Sequence, residues 1–143
     1  MAGYMTKLQG YVYEGELVNG AAAPVENGVL MVQGTSTDAD KLKFAGSADT
    51  TTKLVCKEVT TIYDGVTAYR FIVDKLNDRY YFVENGFDIN DSAAYDKRTY
   101  TTAVGAELRA HPLLVGEEFV TTKVTGTPAV GTAYGVKTDG TVG

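Results

Sequence analysis

A residue that tolerates left-handed backbone geometry stands directly before glycine at Asn19-Gly20, Asn27-Gly28, Asp64-Gly65, Asn85-Gly86 and Asp139-Gly140. Such pairs suit tight reversals of direction, because glycine has no Cβ and Asn and Asp accept positive φ. Between these reversals lie short segments rich in Val, Thr, Tyr and Phe, the residues that fit a pleated, half-buried surface. The pattern predicts a mostly β protein, a small antiparallel sandwich or barrel. A chain of 143 residues is the size of one domain (1–143) and can bury a core without staples. An apolar fraction of 44% with 22% charged residues is that of a globular chain. Residues 1–20 read either as an extended N-terminal arm or as the first strand, with 20–24 as the only linker-like stretch.

The clearest unit is residues 53–84, expected to form a hairpin meander of three strands. Asp64-Gly65 would join 53–63 to 66–75 through a two-residue turn. Leu54, Cys56 and Ile62 then share one face with Tyr69, Phe71 and Val73, while Lys57, Arg70 and Asp74 lie on the other. Glu58 falls opposite Phe71 on the dry face. Either a bulge shifts the register there or the hairpin is shorter than drawn. A reversal at Leu76-Asn77-Asp78 returns the chain into 79–84 as a third strand.

Elsewhere, 4–14 reads as extended, and 28–33, 41–44, 117–124 and 133–137 as short strands. Residues 88–102 read as a long loop. One short helix is expected over 104–110, with Thr102 as its N-cap and Pro112 barring its continuation.

Composition and spacing argue against several kinds of function. Net charge is −5 and the basic residues are scattered, with Lys97-Arg98 the only adjacent pair, so no nucleic-acid partner is expected. No apolar run approaches membrane-spanning length and no basic amphipathic helix is evident, so no membrane partner is expected either. The start of the chain lacks a secretory pattern, and the single cysteine, Cys56, excludes an intrachain disulfide; both suit synthesis in a reducing cytoplasm. One His and one Cys make no zinc cluster. Asp88-Ile89-Asn90-Asp91 begins like a calcium loop, but Ala93 and Thr99 stand where that loop needs Gly and Glu. A different calcium site on Glu84, Asp88 and Asp91 stays open beside the reading as a solvated loop.

Catalytic arrangements are equally sparse. His111, before Pro112, reads as locally hydrogen-bonded or packed, and Cys56 as a small apolar core residue. No serine lies in a G-x-S-x-G turn, and Glu117-Glu118 on a strand would point to opposite faces, which suits no acid pair. No phosphate-cradling loop occurs. The expectation is a protein that is not an enzyme, with no cofactor, no metal and no catalytic residues.

Two stretches resemble a known family. Asn27-Gly28-Val29-Leu30-Met31-Val32, following Gly20 and Pro24, is similar to an early passage in small head proteins of tailed bacteriophages. Leu108-Arg109-Ala110-His111-Pro112-Leu113-Leu114-Val115-Gly116-Glu117-Glu118-Phe119-Val120-Thr121-Thr122, with Gly126-Thr127-Pro128-Ala129-Val130-Gly131-Thr132, resembles capsid decoration proteins, also called cement or auxiliary head proteins. The likeness covers about a third of the chain, and Gly-, Thr- and Val-rich β segments of this kind recur widely. It implies a non-enzymatic virion protein made in the host cytoplasm and placed on the capsid surface, with the major capsid protein as partner. Self-association into a homo-oligomer is a further possible partner. Other readings are a tail or head–tail connector component, and a host- or carbohydrate-binding β module. Tyr4, Met5, Leu8, Tyr11, Tyr95 and Tyr100 are the candidate interface residues, since Tyr buries area while keeping a polar tip. For the tyrosines simple β-propensity is the competing reading, and for residues 4–8 a place in the first strand.

Overall fold

A computed structural model describes residues 17–34, 38–61, 65–84 and 101–143. Their strands are β1 (Val18–Asn19), β2 (Val25–Glu26), β3 (Leu30–Gln33), β4 (Lys41–Lys43), β5 (Asp49–Thr61), β6 (Thr67–Lys75), β7 (Tyr80–Val83), β8 (Thr101–Thr102), β9 (Ala110–Pro112), β10 (Glu118–Thr121) and β11 (Ala133–Val136). They form one sheet in the order β1-β4-β3-β7-β9, a second in the order β10-β6-β5-β11, and a small β2-β8 pair. The protein is mostly β, as the turn spacing predicts.

Strand β7 explains the layout. Its sequence, Tyr80-Tyr81-Phe82-Val83, is apolar at every position, and every residue is buried. A strand like that is stable only with cover on both faces. Tyr80 and Phe82 join a core with Leu30, Leu54, Cys56, Tyr69, Phe71, Val73, Leu113, Phe119, Val136 and Val142, the layer between the two sheets. Tyr81 and Val83 join another core with Leu17, Val25, Val29, Met31, Leu42, Leu108 and Ala110, on the far side of the first sheet. Strand β3 alternates in the same way, Leu30 into one core and Met31 into the other. Each large side chain so buried contributes roughly 1.5–3 kcal/mol relative to exposure.

The first sheet curls around its own core until one segment touches both of its edges. Gly105 and Leu108 donate to Asn19 and Leu17 beside β1, Asn19 donates to Ala106, and Val18 bridges Glu107. A few residues on, β9 pairs with β7. This is where a helix was expected, and there is none. Gly105 takes φ of 79°, which interrupts a right-handed helix, and the Ala106 amide closes a tight turn onto Ala103. A segment of seven residues gains little from helical bonds alone, and here its amides bond to neighbouring strands instead. Thr102 is a strand residue of β8 and not an N-cap. Pro112 sits at the end of β9, an edge position that needs no N–H.

The β5–β6 hairpin forms, with Leu54, Cys56, Tyr69, Phe71 and Val73 buried on its inner face. Its ladder ends at Thr61↔Thr67, shorter than a two-residue turn at Asp64-Gly65 would allow, and the register also shifts between Cys56 and Glu58. Both ways out of the Glu58 conflict are used. Cys56 faces Phe71, and Glu58 faces Arg70 on the outside, its carboxylate 3.8 Å from the guanidinium. Ile62 and Asp64 lie outside the described residues.

The third strand of the expected meander is absent from this sheet. After β6 the chain crosses over, and β7 pairs with β3 and β9. Beside β6 an all-apolar strand would have shown one face to water; between β3 and β9 it shows none. The crossing is pinned where the Asn77 amide donates to Thr52 Oγ1 at 2.9 Å.

Candidate interaction surface

Most buried polar groups of the described residues hold the fold together. Asp49 opens β5 with its carboxylate turned inward. Oδ1 accepts from the amides of Thr51 and Thr52 at 3.0 Å, and Oδ2 from the hydroxyls of Thr52 and Tyr80 at 2.6 Å. Burial opposes its ionisation, but these hydrogen bonds outweigh burial and hold the carboxyl at about 2. Burial, and after it the hydrogen bond to Asp49, push the Tyr80 phenol up. An open depression of about 270 Å³ beside them is lined by Val32, Ser47, Asp49, Asn77, Asp78 and Tyr80, among others. The one buried acid there has its lone pairs filled.

Glu117 and Glu118 part company, as adjacent strand residues do. Glu117 is buried and accepts from the Leu114 amide at 2.6 Å, closing the turn before β10. Glu118 faces outward, 3.5 Å from Arg70 Nε. His111, on β9, is buried, as a packed residue should be, but its Nε2 reaches Glu84 at 2.6 Å across 27 residues of sequence and not locally. Its Nδ1 is buried and meets no hydrogen-bond partner among the described residues. Cys56 is fully buried, and burial raises its thiol pKa, so the thiol is neutral and acts as a small apolar group. Asn19 fastens the linker-like stretch: Nδ2 donates to Ala23 O and Thr102 O, and Oδ1 accepts from Ala21 N.

Among the described residues no three His, Cys, Asp or Glu side chains gather as metal ligands. Glu84 is described, whereas Asp88 and Asp91 are not. The candidate interface residues Tyr4, Met5, Leu8, Tyr11, Tyr95 and Tyr100 all lie outside the described residues.

The solvent-facing surface has two features that the sequence reading missed. Large apolar side chains are exposed at Leu114 (57%), Val115 (63%) and Val130 (61%), with Val59 and Val104 less so. Leu114 and Val115 are adjacent, at the tip of the turn that carries the chain from β9 to β10. The turn is set by Gly116, at φ 93°, and by the Glu117 carboxylate. A scattered exposed valine is ordinary, but adjacent Leu114 and Val115 at a held turn form an apolar tip.

The second feature is a strand edge. Residues 105–108 meet the β1 edge of the first sheet, and β9 forms its other edge. The outer edge of β11 is met by the C-terminal residues, where the Gly135 and Gly143 amides donate to each other's carbonyls at 3.1 Å. The outer edge of β10 meets no main-chain partner among the described residues. The Val73 amide donates to Glu117 O, so the antiparallel alternation turns Phe119 and Thr121 toward β6 and the main-chain groups of Glu118 and Val120 away from it. The only sequence trace of these features was the run Leu113-Leu114-Val115-Gly116 before a predicted strand.

Compared with protein-family models, with curated proteins and with solved structures, the chain matches none of them. None of the helices formed by the described residues is long and apolar enough to cross a membrane.

Proposed function

We propose that this chain is a non-enzymatic structural protein of a tailed-phage virion, binding the outside of the capsid and stabilising contacts between major capsid subunits. The observation that carries the reading is the exposed apolar tip Leu114–Val115, with Val130 on a second loop. All three lie in the stretch that resembles capsid decoration proteins. Adhesion needs apolar atoms held rigidly in water, and a tip clamped by a buried carboxylate supplies them. The buried acid Asp49 supports the same reading, since its hydrogen bonds serve the scaffold.

The mechanism is additive. A shell under internal pressure resists expansion better when a further protein bridges neighbouring subunits, because separating them must break extra contacts. Contacts that are weak singly hold well when repeated at high effective concentration on a lattice. The acidic balance, −5, also disfavours stray adhesion to nucleic acid.

The test is co-sedimentation of purified protein with emptied, expanded phage capsids. Saturable binding at a fixed ratio to the major capsid protein is expected, weakened by Leu114→Ser with Val115→Ser. Protein that stays in the supernatant with shells, yet pellets with tails or binds glycan resins, overturns the proposal.

A further inference from the structure

We infer that Asn19-Gly20 and Asn27-Gly28 are latent deamidation sites, sealed while the chain is folded, and that conversion at Asn19 bars the chain from folding again. This goes beyond shell binding and does not depend on it.

An asparagine before glycine is open to attack by the next main-chain nitrogen, because glycine has no Cβ to hinder the approach. The glycine nitrogen gives up its proton to solvent base and bonds to the side-chain Cγ. The Cγ–Nδ2 bond breaks and ammonia leaves. Water then opens the resulting cyclic imide at either carbonyl, giving aspartate or isoaspartate. The step requires a free main-chain nitrogen and a side chain that can swing onto it.

The fold withholds both. The Gly20 amide donates to Leu42 O at 2.9 Å and the Asn19 carbonyl accepts from Gly105 N at 2.8 Å, so that peptide unit is held on both sides. The Asn19 side chain is tied too, Nδ2 to Ala23 O and Thr102 O, and Oδ1 to Ala21 N. At the other pair the Gly28 amide donates to Val83 O at 2.9 Å, and the Gly28 carbonyl accepts from Thr121 Oγ1 at 2.7 Å. Asn19 and Asn27 are each only 1% exposed, which keeps water and base away.

Unfolding removes this protection, and at Asn19 the product no longer fits. An aspartate there has no N–H to donate, so its carboxylate would face the Ala23 and Thr102 carbonyls, a buried charge against two acceptors. Isoaspartate also lengthens the main chain inside β1, where Val18 and Asn19 pair with Lys41 and Leu42. A domain of ordinary marginal stability does not withstand either change.

The test ages the purified chain in mildly alkaline buffer, one portion native and one in guanidinium chloride, and reads each site by peptide mass spectrometry. Cleavage after glutamate puts Asn19, Asn27 and Asn85 on separate peptides. Asn19 and Asn27 should both convert in denaturant. In the native portion they should convert at least about a hundredfold more slowly, since a stable domain is unfolded less than about one part in a thousand of the time. Faster native conversion at either site overturns the inference. After the denaturant is removed, the folded fraction from size exclusion should carry intact Asn19, with converted chains left out of it. A folded fraction as rich in converted Asn19 as the whole sample overturns the inference. Should an unaged control not refold, Asn19→Asp decides: a folded variant as heat-stable as wild type overturns the inference.

Discussion

Strands β7 and β10 are each four residues long, yet their surroundings differ in almost every respect. β7 has a partner on both edges and a core on both faces. Among the described residues β10 pairs with β6 alone, and Phe119 and Thr121 make one fully buried face. The composition of each follows. Four apolar residues in a row, Tyr80-Tyr81-Phe82-Val83, suit only a strand enclosed all round; in Glu118-Phe119-Val120-Thr121 only Glu118 keeps partial exposure, and Val120 is buried as well. The enclosed strand is the shared wall of two cores, whereas β10 ends its sheet.

The largest effect should come from opening the enclosed strand. Phe82 is fully buried, with its ring centroid 5.0 Å from that of Phe119. Phe82→Ala should cost about 4 kcal/mol in urea unfolding, from lost transfer energy and the cavity left behind. A loss under about 1 kcal/mol would mean that β7 is not the shared wall of two cores.

Next is Gly140, where the C-terminal segment meets β3: its carbonyl accepts the Leu30 amide at 2.9 Å. Its φ is 81°, and an added Cβ would lie 2.7 Å from Phe44 Cε1 and 2.8 Å from Leu30 O. Gly140→Ala should lose about 3 kcal/mol by thermal or urea unfolding, from backbone strain and backbone crowding together. Gly131→Ala has a comparable φ, 88°, and open space around it, so strain alone should cost about 1 kcal/mol.

Acid should loosen the anchor of β5. The folded-state pKa of Asp49 is depressed from 3.8 to about 2, so its contribution is fully present above about pH 4 and disappears as pH falls through about 2. The stability lost over that window is about 2 kcal/mol. Asp49→Asn should flatten that part of the unfolding free energy measured against pH. An unchanged slope would show that the carboxylate is not held as described.

The smallest effect belongs to the open strand. Glu118 and Arg70 form a partly exposed pair on the outer face, and Glu118→Gln should shift stability by less than about 1 kcal/mol. A larger loss would make β10 part of the frame.

The sequence carried the fold class and the local strands well, because both rest on short-range signals. Glycine pairs marked reversals, and alternation marked the inner face of β5 and β6; even the misfit of Glu58 pointed to the bulge that exists. What it did not carry was long-range. A turn at Leu76-Asn77-Asp78 looks the same whether the next strand stays in the sheet or crosses to another, and only the all-apolar run of β7 hinted at the crossing. Residues 104–110 carried a weak helical pattern, and Gly105 with neighbouring strand edges overrode it. The interaction surface was the least legible part. Exposure of Leu114 and Val115 depends on a turn fixed by the Glu117 carboxylate three residues on, and an open edge is a property of the whole sheet order.

Amide hydrogen exchange on dilute protein tests the contrast between the two strands most directly. Every amide of β7 should exchange only through global unfolding, while β10 alternates, slow at Phe119 and Thr121 and fast at Glu118 and Val120. Equal, strong protection at all four β10 amides in the monomer would contradict the account, because that edge would then already be closed.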